Sequence, residues 1–157
     1  MTADDLAALL DQYRVGLEAE LVLLRRLQEV ASRQHAATTE REDIEALQRA
    51  ADERDRLMAG LVAIDQRIGD ARERLARARD QVRRLPGVEE VVSLHKTVCE
   101  IISAILDTDR DSIRALEQVV AARRLAAQTL EQAESTLAAY GRVAIPPPAA
   151  TLVNRRG

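Results

Sequence analysis

From Leu57 to Leu85 the apolar residues step along the chain by four and three without a miss: Leu57, Leu61, Ile64, Ile68, Ala71, Leu75, Ala78, Val82 and Leu85. A run with that spacing keeps one edge of a helix apolar and is the seam of a coiled-coil-like packing. Pro86 and Gly87 follow at once. Proline disfavours α geometry in the residue before it, and glycine permits a reversal, so the chain is expected to turn there. Apolar periodicity resumes at Val88, giving a long helical hairpin centred on Pro86.

The flanking segments read as helix on similar grounds. Thr2 and Asp5 have the spacing of a capping box, and acids in a first turn suit the helix dipole. Leu6, Leu10, Tyr13, Leu17, Leu21, Leu24 and Leu27 then form one face, broadened by Leu9, Leu23 and Val30. A stripe of that width suits a helix packed against two partners. The pattern fades in Ser32-Arg33-Gln34-His35, which predicts a first turn. Thr39 with Glu42 then reads as the capping box of a second helix, whose seam is interrupted by Arg54. The last helix carries Val91, Leu94, Val98, Ile101, Ile102, Ile105, Asp109, Ile113, Leu116, Val120, Ala127, Leu130 and Leu137 on one face, with Gly141 as its expected stop. The expected fold is all-α: an antiparallel three-helix bundle of long coiled-coil-like helices over 2–34, 39–85 and 88–140, forming one domain over 1–141. Residues 142–157 contain Pro146-Pro147-Pro148 and Arg155-Arg156. They read as an extended proline-rich tail, either a docking peptide or disordered.

Since the first predicted helix is shorter than the second, the segment around Pro86 is expected to project as a two-stranded tip. Val82, Val88, Val91, Val92, Leu94 and Val98 would then lack a third helix. Such a stripe either marks a dimer or partner surface or is buried between the two tip helices.

Composition agrees with long helices. Of the residues, 46% are apolar and 31% charged, yet there is no Phe or Trp and there are only two Tyr. Aliphatic seams need no rings, whereas a mixed α/β core without them would be unusual. The net charge of −3, with both signs interleaved, argues against a general attraction to nucleic acid or anionic lipid. The basic run Arg72, Arg74, Arg77, Arg79, Arg83 and Arg84 lacks interleaved aromatics and reads as solvated or paired arginines. No stretch approaches the ~18–20 apolar residues of a membrane span, and the start of the chain lacks the features of a signal peptide. A cytoplasmic location is expected. With one cysteine, Cys99, no intramolecular disulfide can form.

Asp107-Thr108-Asp109-Arg110-Asp111 imitates the opening of a calcium loop. Ser112 and Gln118 then stand where the turn glycine and the bidentate glutamate belong. The helical period also runs straight through, so this reads as an acidic turn of helix. His35 and His95 have no partner at ligand spacing, and Cys99 reads as a small buried hydrophobe. No catalytic constellation, metal site or cofactor loop emerges, and the chain is not expected to be an enzyme.

Several phrases resemble the FlgN/FliT group of flagellar export chaperones: Glu20-Leu21-Val22-Leu23-Leu24-Arg25-Arg26-Leu27, Glu42-Asp43-Ile44-Glu45-Ala46-Leu47, Glu53-Arg54-Asp55-Arg56-Leu57, the stretch from Ile105 to Ile113, and Leu137-Ala138-Ala139-Tyr140-Gly141. The resemblance covers residues 5–141. It implies a cytoplasmic protein that binds the amphipathic C-terminal helix of a hook-associated or filament-cap protein and delivers it to the export apparatus, with export-gate components as further partners. An apolar groove between long helices fits that task. The expected groove wall is Val91, Leu94, Val98, Ile102 and Leu106, although Ile102 and Leu106 could equally be plain core. The chain would act as a monomer or homodimer. The alternative is a structural coiled-coil adaptor or scaffold whose self-association is its function.

Overall fold

The computed structural model describes residues 1–39 and 43–144, with side chains up to Arg142. Among the described residues the chain is all-α: α1 (Ala3–Thr39), α2 (Ile44–Arg77), the single turn α3 (Arg79–Val82) and α4 (Val88–Ala144). No helix is long and apolar enough to cross a membrane among these residues. The chain divides into two units, Met1–Ala115 and Leu116–Gly157.

Helix α1 opens as its sequence predicts. The Thr2 N–H donates to Asp5 Oδ2 at 2.9 Å, and the Asp5 N–H donates to Thr2 Oγ1 at 3.1 Å. These bonds hold the Asp5 carboxyl below its usual range, the backbone donor of Thr2 contributing most. The far end of α1 differs from expectation. Ser32 to Thr39 is helix and not a turn, because its polar side chains find partners inside the fold. Gln34 accepts from Arg54, and His35 Nδ1 lies 3.2 Å from Ser112 Oγ.

Thr39 does not cap a second helix. Its hydroxyl turns back to the His35 and Ala36 carbonyls, the usual habit of threonine inside a helix. Asp43 is the N-cap of α2, its carboxylate accepting from the Ala46 N–H at 3.0 Å. Glu42, the other half of the expected capping box, lies outside the described residues.

In the first unit, one apolar cluster joins Leu6, Leu10, Leu17, Leu24 and Leu27 of α1 to Ala71 and Leu75 of α2 and to Val91, Val98 and Ile105 of α4. Of the seam read from Leu57 to Leu85, Leu57, Leu61, Ala71, Leu75, Ala78, Val82 and Leu85 belong to this core or pack against it, and Ile64 and Ile68 are buried. The hydrogen-bond ladder breaks once, at Ala78 (φ −100, ψ 26), and resumes for the turn of α3. Gly87 then reverses the chain with φ 87, a backbone region that favours glycine.

The expected projecting tip is absent. Ala7, Leu10 and Arg14 of α1 line one depression together with Pro86, Gly87 and Val91, so α1 covers the hairpin to its end. The reason is length: α1 has 37 residues, and the arm from Ile44 to Leu85, made of α2 and the turn of α3, is only slightly longer. The turn between them lies some residues later than its polar composition suggests. α4 also continues through Gly141 to Ala144. Glycine is a poor helix former but no barrier where its φ stays negative, and Gly87 alone has positive φ among the described residues. The tail from Ile145 to Gly157, with its three prolines, lies outside the described residues.

Helices α1 and α2 approach closely at Gly16. A methyl group there would fall inside the van der Waals envelope of Ile68 Cγ2, and Ile68 is fully buried. At Gly69 the nearest atom to such a methyl is the flexible Arg72 guanidinium at 4.0 Å. Two identical substitutions should therefore differ in sign. Gly69→Ala should stabilise by about 0.5–1 kcal/mol through helix propensity alone. Gly16→Ala gains the same term but overpacks the crossing by about 1–3 kcal/mol, and should be destabilising overall. Urea unfolding of the two variants checks this.

Candidate partner-binding surface

An apolar depression in the first unit lies between α2 and α4 and has a volume of ≈ 260 Å³. Leu24 and Leu27 of α1 and Ile105 of α4, all buried, form its floor. Met58 and Leu61 of α2 face Ile102 and Leu106 of α4 across it. Met58 is 46% exposed, Ile102 40% and Leu106 49%, so three large apolar side chains stand open to solvent on an apolar floor. The three helices supply floor and walls because their 3.6-residue period leaves one apolar residue per turn at the edge of each seam.

One end of the depression is closed by charge. Arg54 makes two parallel bonds to Asp109, Nη1 to Oδ1 and Nη2 to Oδ2, each 2.6 Å, and Nη1 also reaches Gln34 Oε1 at 3.1 Å. The two side chains keep only 24% and 25% of their surface. Two-pronged bonding in a half-buried place is the strong form of a guanidinium–carboxylate contact. The bond to Asp109 raises the arginine further above its ordinary value. The pair occupies the place where Arg54 interrupts the α2 seam and Asp109 interrupts that of α4.

The five residues expected to form a groove wall do not stay together. Ile102 and Leu106 stand in the depression. Val91 and Val98 are 6% and 5% exposed and belong to the core under α1. Leu94 is half-buried and packs against that core. Leu61, Leu24 and Leu27, which the sequence places in helix seams, complete the depression together with Met58, which the seam pattern passes over. The signal that could have located them is the charged pair, one residue of each sign set into two facing apolar seams.

The remaining chemistry-bearing residues are dispersed. α4 runs without a break through the acidic stretch, where Asp109 is engaged by Arg54 and Asp107 by Arg110. Among the described residues, no group of three or more His, Cys, Asp or Glu could hold a metal ion. Arginines of the basic run bond to carboxylates of their own helix: Arg72 to Asp65, Arg74 to Asp70 and Arg77 to Glu73. Cys99 is exposed and not buried as expected, its Sγ 3.6 Å from His95 Nδ1. One position beyond Val98 on a helix points away from the seam.

Two groups at the α1–α2 seam edge titrate abnormally. Burial raises the Tyr13 hydroxyl. Burial also raises the Glu20 carboxyl, helped by Asp65 and opposed by Arg72 of α2 and His95 of α4. Glu53 is lowered instead by hydrogen bonds from Arg33 and Arg26 of α1.

Protein-family models, curated proteins and solved structures were compared with the chain, and none matches.

The Glu20 shift sets a pH dependence. Its folded-state value lies above the ordinary 4.5, so the folded state binds the proton more tightly than the unfolded one. Ionised Glu20 therefore weakens the fold at neutral pH. That loss is recovered as pH falls through the raised value toward 4.5. Glu20→Gln should raise the melting temperature at pH 7, and the difference from the parent should vanish near pH 4. Paired thermal melts at the two pH values check it.

Proposed function

We propose that the protein is a cytoplasmic export chaperone of the flagellar type. It holds an amphipathic C-terminal helix of a hook-associated or filament-cap protein in the depression between α2 and α4 of a three-helix bundle, and delivers that client to the export apparatus. The observation that carries this reading is the exposure of Met58, Ile102 and Leu106 over a leucine floor, closed at one end by Arg54 and Asp109. An amphipathic helix recognises such a site by laying apolar residues one turn apart into it. The charged end offers bonds to polar groups at a helix terminus and fixes how far the client can slide. The resemblance of residues 5–141 to the FlgN/FliT chaperones supplies the client class.

The second reading, an adaptor or scaffold acting through self-association, is favoured by the apolar side chains of the second unit. There Leu116, Val120, Leu130 and Leu137 are 43–72% exposed.

The tagged chain should enrich a hook-associated or filament-cap protein from a lysate of its own organism, and deletion of that protein's C-terminal helix should abolish the capture. Recovery of the chain alone would favour the scaffold. Burying a leucine contributes about 1.5–3 kcal/mol, so Leu106→Asp should weaken client binding at least about tenfold while leaving helicity intact. Val91→Asp places a charge in the core and should unfold the chain instead. Fluorescence anisotropy of a labelled client helix, with circular dichroism of each variant, separates the two effects.

A further inference from the structure

The second unit carries a pattern that the client site does not use. From Leu116 the four-three period continues through Val120, Arg123, Ala127, Leu130, Glu134, Leu137 and Gly141. All of these residues are exposed. Within this seam the apolar series is broken twice, once by each sign of charge, at Arg123 and Glu134. The first unit shows what such a break does: Arg54 and Asp109, at seam positions of the antiparallel helices α2 and α4, face one another and bond at 2.6 Å.

We propose that residues 116–141 pair with the same segment of a second copy as an antiparallel two-stranded coil, with the two-fold axis between Gln128 and Thr129. In this register Arg123 of each copy meets Glu134 of the other, and the two-fold axis makes the contact twice. Ala127 meets Leu130, a small residue against a large one, and Val120 meets Leu137. The same register fixes the positions flanking the seam, where coiled coils place their pairing charges. There Arg124 comes level with Ala133 of the other copy, which leaves Glu131 two residues, about 3 Å, along the strand and within reach of a long side chain, again twice. One choice of register therefore sets Arg123 level with Glu134 twice, brings Arg124 near Glu131 twice, and matches the layers Ala127–Leu130 and Val120–Leu137, with Leu116 against Gly141 at each end. Parallel pairing in register would instead set Arg123 against Arg123 and Glu134 against Glu134. Arg123 is already engaged within its own chain, but a guanidinium has five donors and can serve a second carboxylate. The paired segment is about 39 Å long at 1.5 Å per residue.

This coil lies outside the α2–α4 depression and does not depend on any client. The test is sedimentation equilibrium of the full chain over a range of concentrations. The parent should dimerise reversibly. Arg123→Glu and Glu134→Arg each oppose like charges twice, and each should raise the dimer Kd at least about tenfold. The double variant Arg123→Glu, Glu134→Arg is again self-complementary only when the strands are antiparallel, and should return to within about threefold of the parent. Arg123 and Glu134 are both exposed, so circular dichroism should show unchanged helix. A parent that stays monomeric at about 100 µM overturns the proposal. Single reversals without effect, or a double variant no tighter than the singles, also overturn it.

Discussion

The contact between Arg54 and Asp109 joins α2 to α4, and through Gln34 it ties in α1 as well. Aliphatic seams attract each other strongly but specify register weakly, because a leucine accepts many neighbours at similar energy. A charge in a seam is different. Half-buried and unpaired it is costly, so registers that separate arginine from aspartate are excluded. The leucines of α1 supply much of the burial, and the charged pair selects the arrangement in which they are buried. The depression beside it inherits its shape from that choice, since Met58 lies one helical turn beyond Arg54 and Leu106 nearly one turn before Asp109.

A second constraint is the narrow crossing of α1 and α2 at Gly16. Its missing side chain lets Ile68 reach the α1 backbone, which draws the two helices together where Leu17 and Ile68 are buried. Arg26 and Arg33 of α1, both bonded to Glu53, link the same two helices nearer the turn. These ion pairs are exposed and add little energy. They satisfy the charges that flank the seam.

Periodicity made most of the fold legible. The seam from Leu57 to Leu85, the Thr2–Asp5 cap and the turn at Gly87 all follow from local rules of spacing and backbone freedom. The boundary between α1 and α2 did not, because polar residues there are engaged within the fold and do not mark solvent. Gln34, His35 and Thr38 are polar residues whose partners lie in other helices or in their own backbone. A one-dimensional pattern cannot distinguish that from a loop. Five residues gained by α1 at that boundary were enough to cover the tip, bury Val91 and Val98, and move the exposed apolar surface to Ile102 and Leu106. Arg54 and Asp109 were visible as interruptions of two seams, but their meaning required knowing that the seams face one another.

The contacts also differ in how far apart along the chain they reach. Arg26 and Glu53 are separated by 27 residues, Arg54 and Asp109 by 55, and His35 and Ser112 by 77. Closing a longer loop costs more chain entropy, so the α1–α2 hairpin is the cheapest closure and the α1–α4 contact the dearest. The depression takes its floor from α1 and α4 and its walls from α2 and α4, and so exists only after both closures are complete. Whatever binds there selects chains whose first unit has finished folding.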